Sequence, residues 1–340
     1  FLSLYPDSKL RPTVMAKLAS NYEKLVDLQK ASKYYYLYYK EFTNDPKRRE
    51  ALYNAATLQR GLGQVQQSAQ YFNEYIKMYP NSEEALSSQY QIAEMYERAG
   101  EFVSAVNAYD VLSKFKGADV NMRYYAQTKS AMISYRQLNK PQALSTLNSI
   151  GQGLIRDKQV NAFKSREMIA QLWFNSLEPK FNQYQKIEIL NSMKIETEAA
   201  AKQKLLSELV NDYKKLLEIR NPEYMAAALY RVGQMHENFA QVLMKARVPV
   251  GFNEQESKEF QKALADGSKP LQAEAVRFYA SAAERAKEID AFSPWVKTVN
   301  DKMAKIEPAK FKAIDEQSSE PIYLGHYFKL PNVVQQLVKQ

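Results

Sequence analysis

The chain has 340 residues, 45% of them hydrophobic, with no cysteine and a formal charge of +9. That excludes disulfides, thiolate metal sites and a cysteine nucleophile, and no apolar run is long enough (about 18 residues) to cross a membrane. The charge is spread evenly, with 19 basic and 14 acidic side chains in residues 1–150 against 28 and 24 in the rest, which describes a solvated helical surface and excludes nucleic acid as the expected partner.

In chain order, Phe1–Ser8 (FLSLYPDS) aligns with Tyr75–Ser82 (YIKMYPNS) at a distance of 74 residues, two periods of a repeat. The chain is therefore expected to begin inside the second helix of a repeat, with any targeting segment lying before it. Four further copies follow. Leu18, Ala19, Val26, Ala31, Tyr35 and Tyr38 mark the first, and Ala55, Ala56, Gly63, Ser68, Phe72 and Tyr75 the second. Ile92, Ala93, Gly100, Ala105, Tyr109 and Leu112 mark the third, and Ala131, Ala143, Leu147 and Ile150 the fourth. In the third copy Tyr90, Ile92, Ala93 and Tyr96 share one helical face. Val103, Ala105, Val106, Tyr109 and Leu112 share another, across a turn at Ala99-Gly100-Glu101. Ala93 and Ala105 allow close approach, and Tyr96 and Tyr109 fill the space beside them. In the fourth copy Gln137-Leu138-Asn139 replaces the turn glycine. A helix pair of this size cannot bury its own apolar face, so the copies must stack.

Within the run Tyr34–Tyr39, Tyr35, Tyr38 and Tyr39 occupy repeat core positions, while Tyr34 and Tyr36 fall on other faces of the helix. That second pair is expected either to form a contact surface or to pack on an adjacent helix.

After Ile150 the register is lost. Gly151-Gln152-Gly153 reads as a joint, because a GxG without a preceding strand is no phosphate loop. Helices are expected over 160–177, stopped by Pro179, and over 187–217 with a break near Lys194. Further helices fit 223–246, 254–264, 269–289 and 292–306. Residues 151–310 thus form a diverged region of longer helix pairs. The tail 311–340 is expected to be mostly non-helical and docked on helices through Ile322, Tyr323, Leu324, Tyr327, Phe328 and Leu330, as a cap or over a binding surface.

Chemistry is scarce. His236-Glu237 lies on a helix, but Ala240 stands where a zinc motif needs its second histidine. No GxSxG, Walker or dinucleotide fingerprint is present, and Glu83, Glu84, Glu196 and Glu198 sit beside helix starts, where carboxylates favour the dipole. No catalytic residue, cofactor or metal is expected.

The pattern small–x2–Tyr, Gly in the turn, then Ala–x3–aromatic resembles the tetratricopeptide (TPR) repeat over residues 12–150. The resemblance implies an all-α, helix-pair solenoid wound as a right-handed superhelix, which binds partners on the face of its first helices. Taking Ala19, Ala56, Ala93 and Ala131 as one position, the implied partner-binding residues are Tyr53, Asn54, Arg60, Tyr90, Gln91, Glu94, Arg98, Tyr125, Met132 and Arg136, with Tyr34 and Tyr36 beside them. The places of a chaperone carboxylate clamp hold Ala16, Ser20, Asn54, Ser87 and Gln91, of which only Asn54 fits, so that clamp is not expected. The face is tyrosine-rich and modestly basic, which suits a peptide or protein of some acidic character.

The Tyr-Pro-Asn/Asp-Ser endings also resemble TPR proteins of the β-barrel assembly and Tol–Pal systems. Arg247–Phe311 is similar to the carboxy-terminal region of long envelope TPR proteins, some of them associated with gliding motility. These resemblances imply a non-enzymatic periplasmic scaffold of a bacterial envelope, near the outer membrane, reaching the membrane through a preceding segment or its partners. A cytosolic TPR regulator or assembly factor, or a helical accessory part of a peptidoglycan-processing enzyme, are the alternatives.

Overall fold

The computed structural model describes residues 1–189, 194–287 and 293–311. Among them the regular elements are thirteen α-helices. They are α1 (Arg11–Lys24), α2 (Leu28–Glu41), α3 (Arg48–Gly61), α4 (Val65–Met78), α5 (Glu83–Arg98), α6 (Phe102–Ser113), α7 (Val120–Arg136) and α8 (Ala143–Arg156). They continue as α9 (Phe163–Gln185), α10 (Ile195–Glu218), α11 (Pro222–Met244), α12 (Glu254–Ala286) and α13 (Pro294–Ile306).

The helices start and stop where side chains meet their orphan backbone groups. Asp27, Ser82 and Asp119 accept from the backbone N–H of Lys30, Ala85 and Met122. Asn253 and Glu256 form a reciprocal capping box at the head of α12. Inside each of the first three pairs the turn closes with the same backbone bond across six residues: Asp27 N–H to Tyr22, Gln64 to Gln59 and Glu101 to Tyr96. The pivot residue is left-handed in every copy, with φ of 60° at Val26, 71° at Gly63, 75° at Gly100 and 50° at Asn139. The turn geometry thus outlives its glycine.

The chain divides into two compact units, 1–175 with 218–221 and 176–217 with 222–340. In the first unit each helix from α1 to α8 packs on its successor, as expected of a helix-pair solenoid. Ala19, Ala31, Ala55, Ala56, Ala93 and Ala105 are fully buried at the close approaches, with Phe72, Tyr75, Tyr109 and Leu112 filling between them. Two buried serines are tied to the backbone: Ser68 Oγ donates to the Ala56 carbonyl at 2.8 Å and Ser32 Oγ to that of Ala55 at 2.9 Å. Arg166, 5% exposed, donates to the carbonyls of Asp157, Val160, Asn161 and Ile219, and so binds the 218–221 segment to this unit. In the second unit Tyr230, Ala275, Tyr279, Ala282, Val299, Met303 and Phe311 form a core between α11, α12 and α13.

Several expectations are corrected. Residues 1–10 are not the end of a helix: they form turns before α1, with Tyr5 N–H on the Phe1 carbonyl at 2.9 Å. Gly151–Gly153 is no joint: it lies inside α8, where a Cβ on Gly151 would collide with the Trp173 ring. Pro179 does not stop its helix; α9 runs on to Gln185, because the turns beyond the proline bury Phe181 and Tyr184 and so offset one lost hydrogen bond. The expected helices 254–264 and 269–289 are one, with α12 passing through Pro270. The helix expected over 187–217 begins later, since 187–189 are not helical and α10 starts at Ile195. The docked tail, with Ile322, Tyr323, Leu324, Tyr327, Phe328 and Leu330, lies outside the described residues.

Candidate functional site

Four residues after the small residue of each first helix, the copies carry Glu23, Arg60, Glu97 and Tyr135. Four after the small residue of each second helix come Tyr35, Phe72, Tyr109 and Leu147. In the third copy these positions meet a cation from the next helix. Tyr109 donates to Glu97 at 2.6 Å, and Lys129 on α7 pairs with the same carboxylate at 2.6 Å. Burial first, then the Glu97 bond, drives the Tyr109 pKa upward, so the phenol stays a donor.

The second unit repeats the device. Tyr279 donates to Glu237 at 2.6 Å and Lys302 pairs with it at 2.7 Å. Glu178 likewise receives Arg231 at 2.6 Å, with Tyr213 at 3.5 Å. In the first copy Tyr35 donates to Glu23 at 2.8 Å, and Asn54 on the next helix lies beside Tyr35 in place of a cation. The signal was present in the sequence as small–x3–Glu (Ala19–Glu23, Ala93–Glu97, Gly233–Glu237), which the apolar pattern passes over.

The second copy breaks the device. Arg60 stands in the glutamate's place, Phe72 brings no hydroxyl, and Gln91 on α5 takes the cation's place. Gln91, 9% exposed, donates through Nε2 to Tyr53 Oη at 3.0 Å and Ser87 Oγ at 3.2 Å, while its Oε1 is buried without a partner. A cavity of about 580 Å³ opens there, lined by Arg60, Gly61, Gly63, Val65, Gln91, Glu94, Met95, Arg98 and Ala99. Glu94 accepts from Tyr90 at 2.5 Å and pairs with the exposed Arg98 at 3.3 Å.

Arg60, Gln91, Glu94 and Arg98, expected on the binding face, therefore surround one cavity, and Tyr53 holds its amide. Tyr90 and Tyr125, with ring centres 5.9 Å apart, line a second cavity of about 390 Å³ with Met122, Phe163 and Lys164. The other expected residues lie apart from both. Asn54 lines a smaller space with Tyr35 and Glu50, Arg136 is exposed, and Met132 is buried. Tyr34 stacks on Tyr22 of α1, and Tyr36 stacks on Tyr71 of α4 with its hydroxyl on Glu74, so both pack on adjacent helices. His236 is stacked on Phe278 with Nδ1 buried and unpartnered, and burial lowers its pKa. Among the described residues no cluster of His, Asp and Glu could hold a metal ion.

Residues 50–82 match the tetratricopeptide repeat. The match begins just inside α3 and ends at the Ser82 cap, so it contains both Arg60 and Phe72. No curated protein matches the chain. Among solved structures, a tetratricopeptide repeat protein from Parabacteroides merdae is 15% identical over 77% of this chain and 88% of that one, with a TM-score of 0.32. TPR-like repeats of a protein from Podosopora anserina, named as a kinesin light chain, are 14% identical over 80% and 99%, with a TM-score of 0.29. The assembly chaperone of RpL4 is 14% identical over 88% and 97%, with a TM-score of 0.26. The repeat register and its turns carry the fold.

Proposed function

We propose that the protein is a non-enzymatic scaffold that holds a partner protein or extended peptide on the first-helix face of its amino-terminal repeats. The observation that supports this most is the cavity beside Arg60 and Gln91: a repeat position whose internal Tyr–Glu–cation partners are gone and where Arg60 is exposed at the edge of open space. Adjacent Tyr53, Tyr90 and Tyr125 offer flat amphipathic contact area on the same helices, the residue type enriched at binding surfaces. The evenly mixed charge favours a protein partner over nucleic acid.

The setting we propose is a bacterial envelope complex, supported by the resemblance of the helix endings and of Arg247–Phe311. Two measurements test the reading. Titration of the full chain with selected peptides should give saturable binding, lost when Tyr90 and Tyr125 are changed together to alanine. Fractionation of cells carrying the native gene should place the protein with the envelope; recovery wholly in the cytosol would overturn the setting but not the scaffold.

A further inference from the structure

Helix α12 outruns the helix it packs on. Tyr279 meets Gly233 and donates to Glu237, Phe278 stacks on His236, and Gln272 Nε2 donates to Sδ of Met244, the last residue of α11, at 3.5 Å. Residues 254–270 therefore continue past the end of α11, for about 25 Å at the rise of an α-helix. Burial changes at the same point. Beyond it α12 buries Ala275, Tyr279, Ala282, Ala283 and Ala286, whereas no residue of 254–267 is buried. The connection 245–253 joins the base of this arm to its tip, with Phe252 edge-on to Phe260 at 5.9 Å.

We infer that the arm is a self-association surface, on which a second copy of the chain lays its own arm antiparallel. An isolated helix this short is marginal in water. Local bonds hold it, the capping box of Asn253 and Glu256 and the Lys258–Glu254 pair at 2.5 Å, and pairs of that kind are worth only a few tenths of a kcal/mol. Large apolar groups on the same arm stand in water. Met244 is 54% exposed, Phe252 43%, and Val250 fully so at the corner of a turn set by Gly251 at φ 97°. Burying them against a copy of the chain would remove that cost.

Charge names the occupant. Glu254, Glu256 and Glu259 outnumber Lys258 toward the tip, while Lys245, Arg247, Lys262 and Lys269 outnumber Asp266 toward the base. Parallel arms would set like charges side by side. Antiparallel arms set each tip against the other base, twice over by the twofold symmetry of such a pair. Glu254, Lys258, Lys262, Ala265 and Lys269 follow at steps of four and three residues and so share one helical face. With the arms crossing between residues 261 and 262, Glu254 of each copy falls opposite Lys269 of the other. A surface of one sign, such as nucleic acid or an anionic bilayer, would complement one end of the arm and repel the other.

Sedimentation velocity of the full chain over a concentration series tests the pairing. The wild type should show a monomer–dimer equilibrium that weakens with salt. A tip variant, Glu254→Lys with Glu259→Lys, and a base variant, Lys262→Glu with Lys269→Glu, should each dimerise roughly tenfold more weakly alone, because each arm then carries a single sign. Mixed in equal amounts, the two should recover the wild-type affinity to within roughly threefold as a heterodimer. Val250→Asp should also weaken the dimer, and because that side chain is fully exposed its monomer should melt with the wild type. Lys204→Glu with Lys214→Glu, exposed on α10, should alter dimerisation less than roughly twofold. A wild type that stays monomeric at about 100 times the cellular range of concentration, roughly 1 mM, would overturn the inference and leave the patch to another protein. A dimer indifferent to Val250→Asp and to both reversals, or a mixture that fails to recover, would overturn it too.

Discussion

Val26 shows how strongly the repeat dictates its own backbone. It occupies the pivot that is glycine in the next two copies, at φ 60°, and it is 75% exposed, so its side chain contributes almost no packing. A β-branched residue in the left-handed region costs about 1–2 kcal/mol. Asparagine tolerates that region without the full chain entropy of glycine, so Val26→Asn should stabilise by roughly 1 kcal/mol, a rise in Tm of a few degrees. Gly100→Val, made at the same pivot, should cost about the same amount. A thermal melt of Val26→Asn at or below the wild type would refute the shared turn.

Lys202 makes a second argument at this scale. Its side chain is fully buried and donates to the carbonyls of Tyr184 at 3.1 Å and Ile187 at 2.7 Å, capping the end of α9, with no carboxylate paired to it among the described residues. Burial lowers its pKa from 10.5 to about 8. The unfolded chain therefore binds the proton more tightly between those values, and stability rises as pH climbs from about 8 toward 10. The tyrosines with raised pKa oppose this only from about pH 10, where unfolded phenols ionise. The difference in melting temperature between wild type and Lys202→Met cancels them. It should move in favour of the wild type across that window, and a flat difference would show that Lys202 titrates normally.

At the scale of the helix, two glycines should respond with opposite signs to one substitution. Gly233 on α11 faces Tyr279, and a Cβ there would stand 2.7 Å from the ring, which is also fixed by its bond to Glu237. Gly267 on α12 has nothing within 4 Å. Alanine gains about 1 kcal/mol of helix propensity at either site. At Gly267 that gain should appear in full; at Gly233 overpacking of about 1–3 kcal/mol should reverse it. Chemical denaturation of the two variants decides, and a stabilised Gly233→Ala would mean that the ring can move aside.

This contrast also marks what was legible beforehand. The alternation of small and aromatic residues gave the pairs and turns of residues 12–150, because close helix approach leaves a strict periodic trace. Pro179, Pro270 and Gly151–Gly153 misled, since each is a local signal overruled by packing: Tyr184 and Tyr279 are buried farther along the same helices as the prolines, and Trp173 of α9 packs on Gly151. The candidate site was half visible. Arg60, Gln91, Glu94 and Arg98 could be placed on one face by spacing. That Arg60 and Phe72 interrupt a Tyr–Glu–cation device could not, because the device joins three helices and no single helix shows it.

At the scale of the whole molecule, each unit is built mainly from neighbour contacts. In the first unit every helix packs on the next, the condition under which stability becomes a sum of local terms and the outermost members are held from one side only. Helix α1 buries Met15 and Ala19, whereas α5, between α4 and α6, buries Ala85, Ser88, Gln89, Gln91, Ile92, Ala93 and Met95. The second unit repeats the contrast, with α13 burying Val299 and Met303 against the long buried stripe of α11 from Ala226 to Ala240. Amide hydrogen exchange reads such gradients directly, because local opening precedes global unfolding wherever contacts are few. Exchange should be fastest in α1 and slowest in α5 within the first unit, and faster in α13 than in α11 within the second. Arg166 adds a discriminating case, since its bonds to Asp157, Val160 and Ile219 hold loops that have no helix ladder of their own. Arg166→Ala should leave the Ile219 carbonyl buried and unmet and free the half-buried ones of Asp157 and Val160, cost about 2–4 kcal/mol, and raise exchange around 157–162 and 218–221 before it does so in α5. Uniform exchange across α1 to α8, or an Arg166→Ala effect that reaches α5 first, would contradict a unit assembled from neighbour contacts.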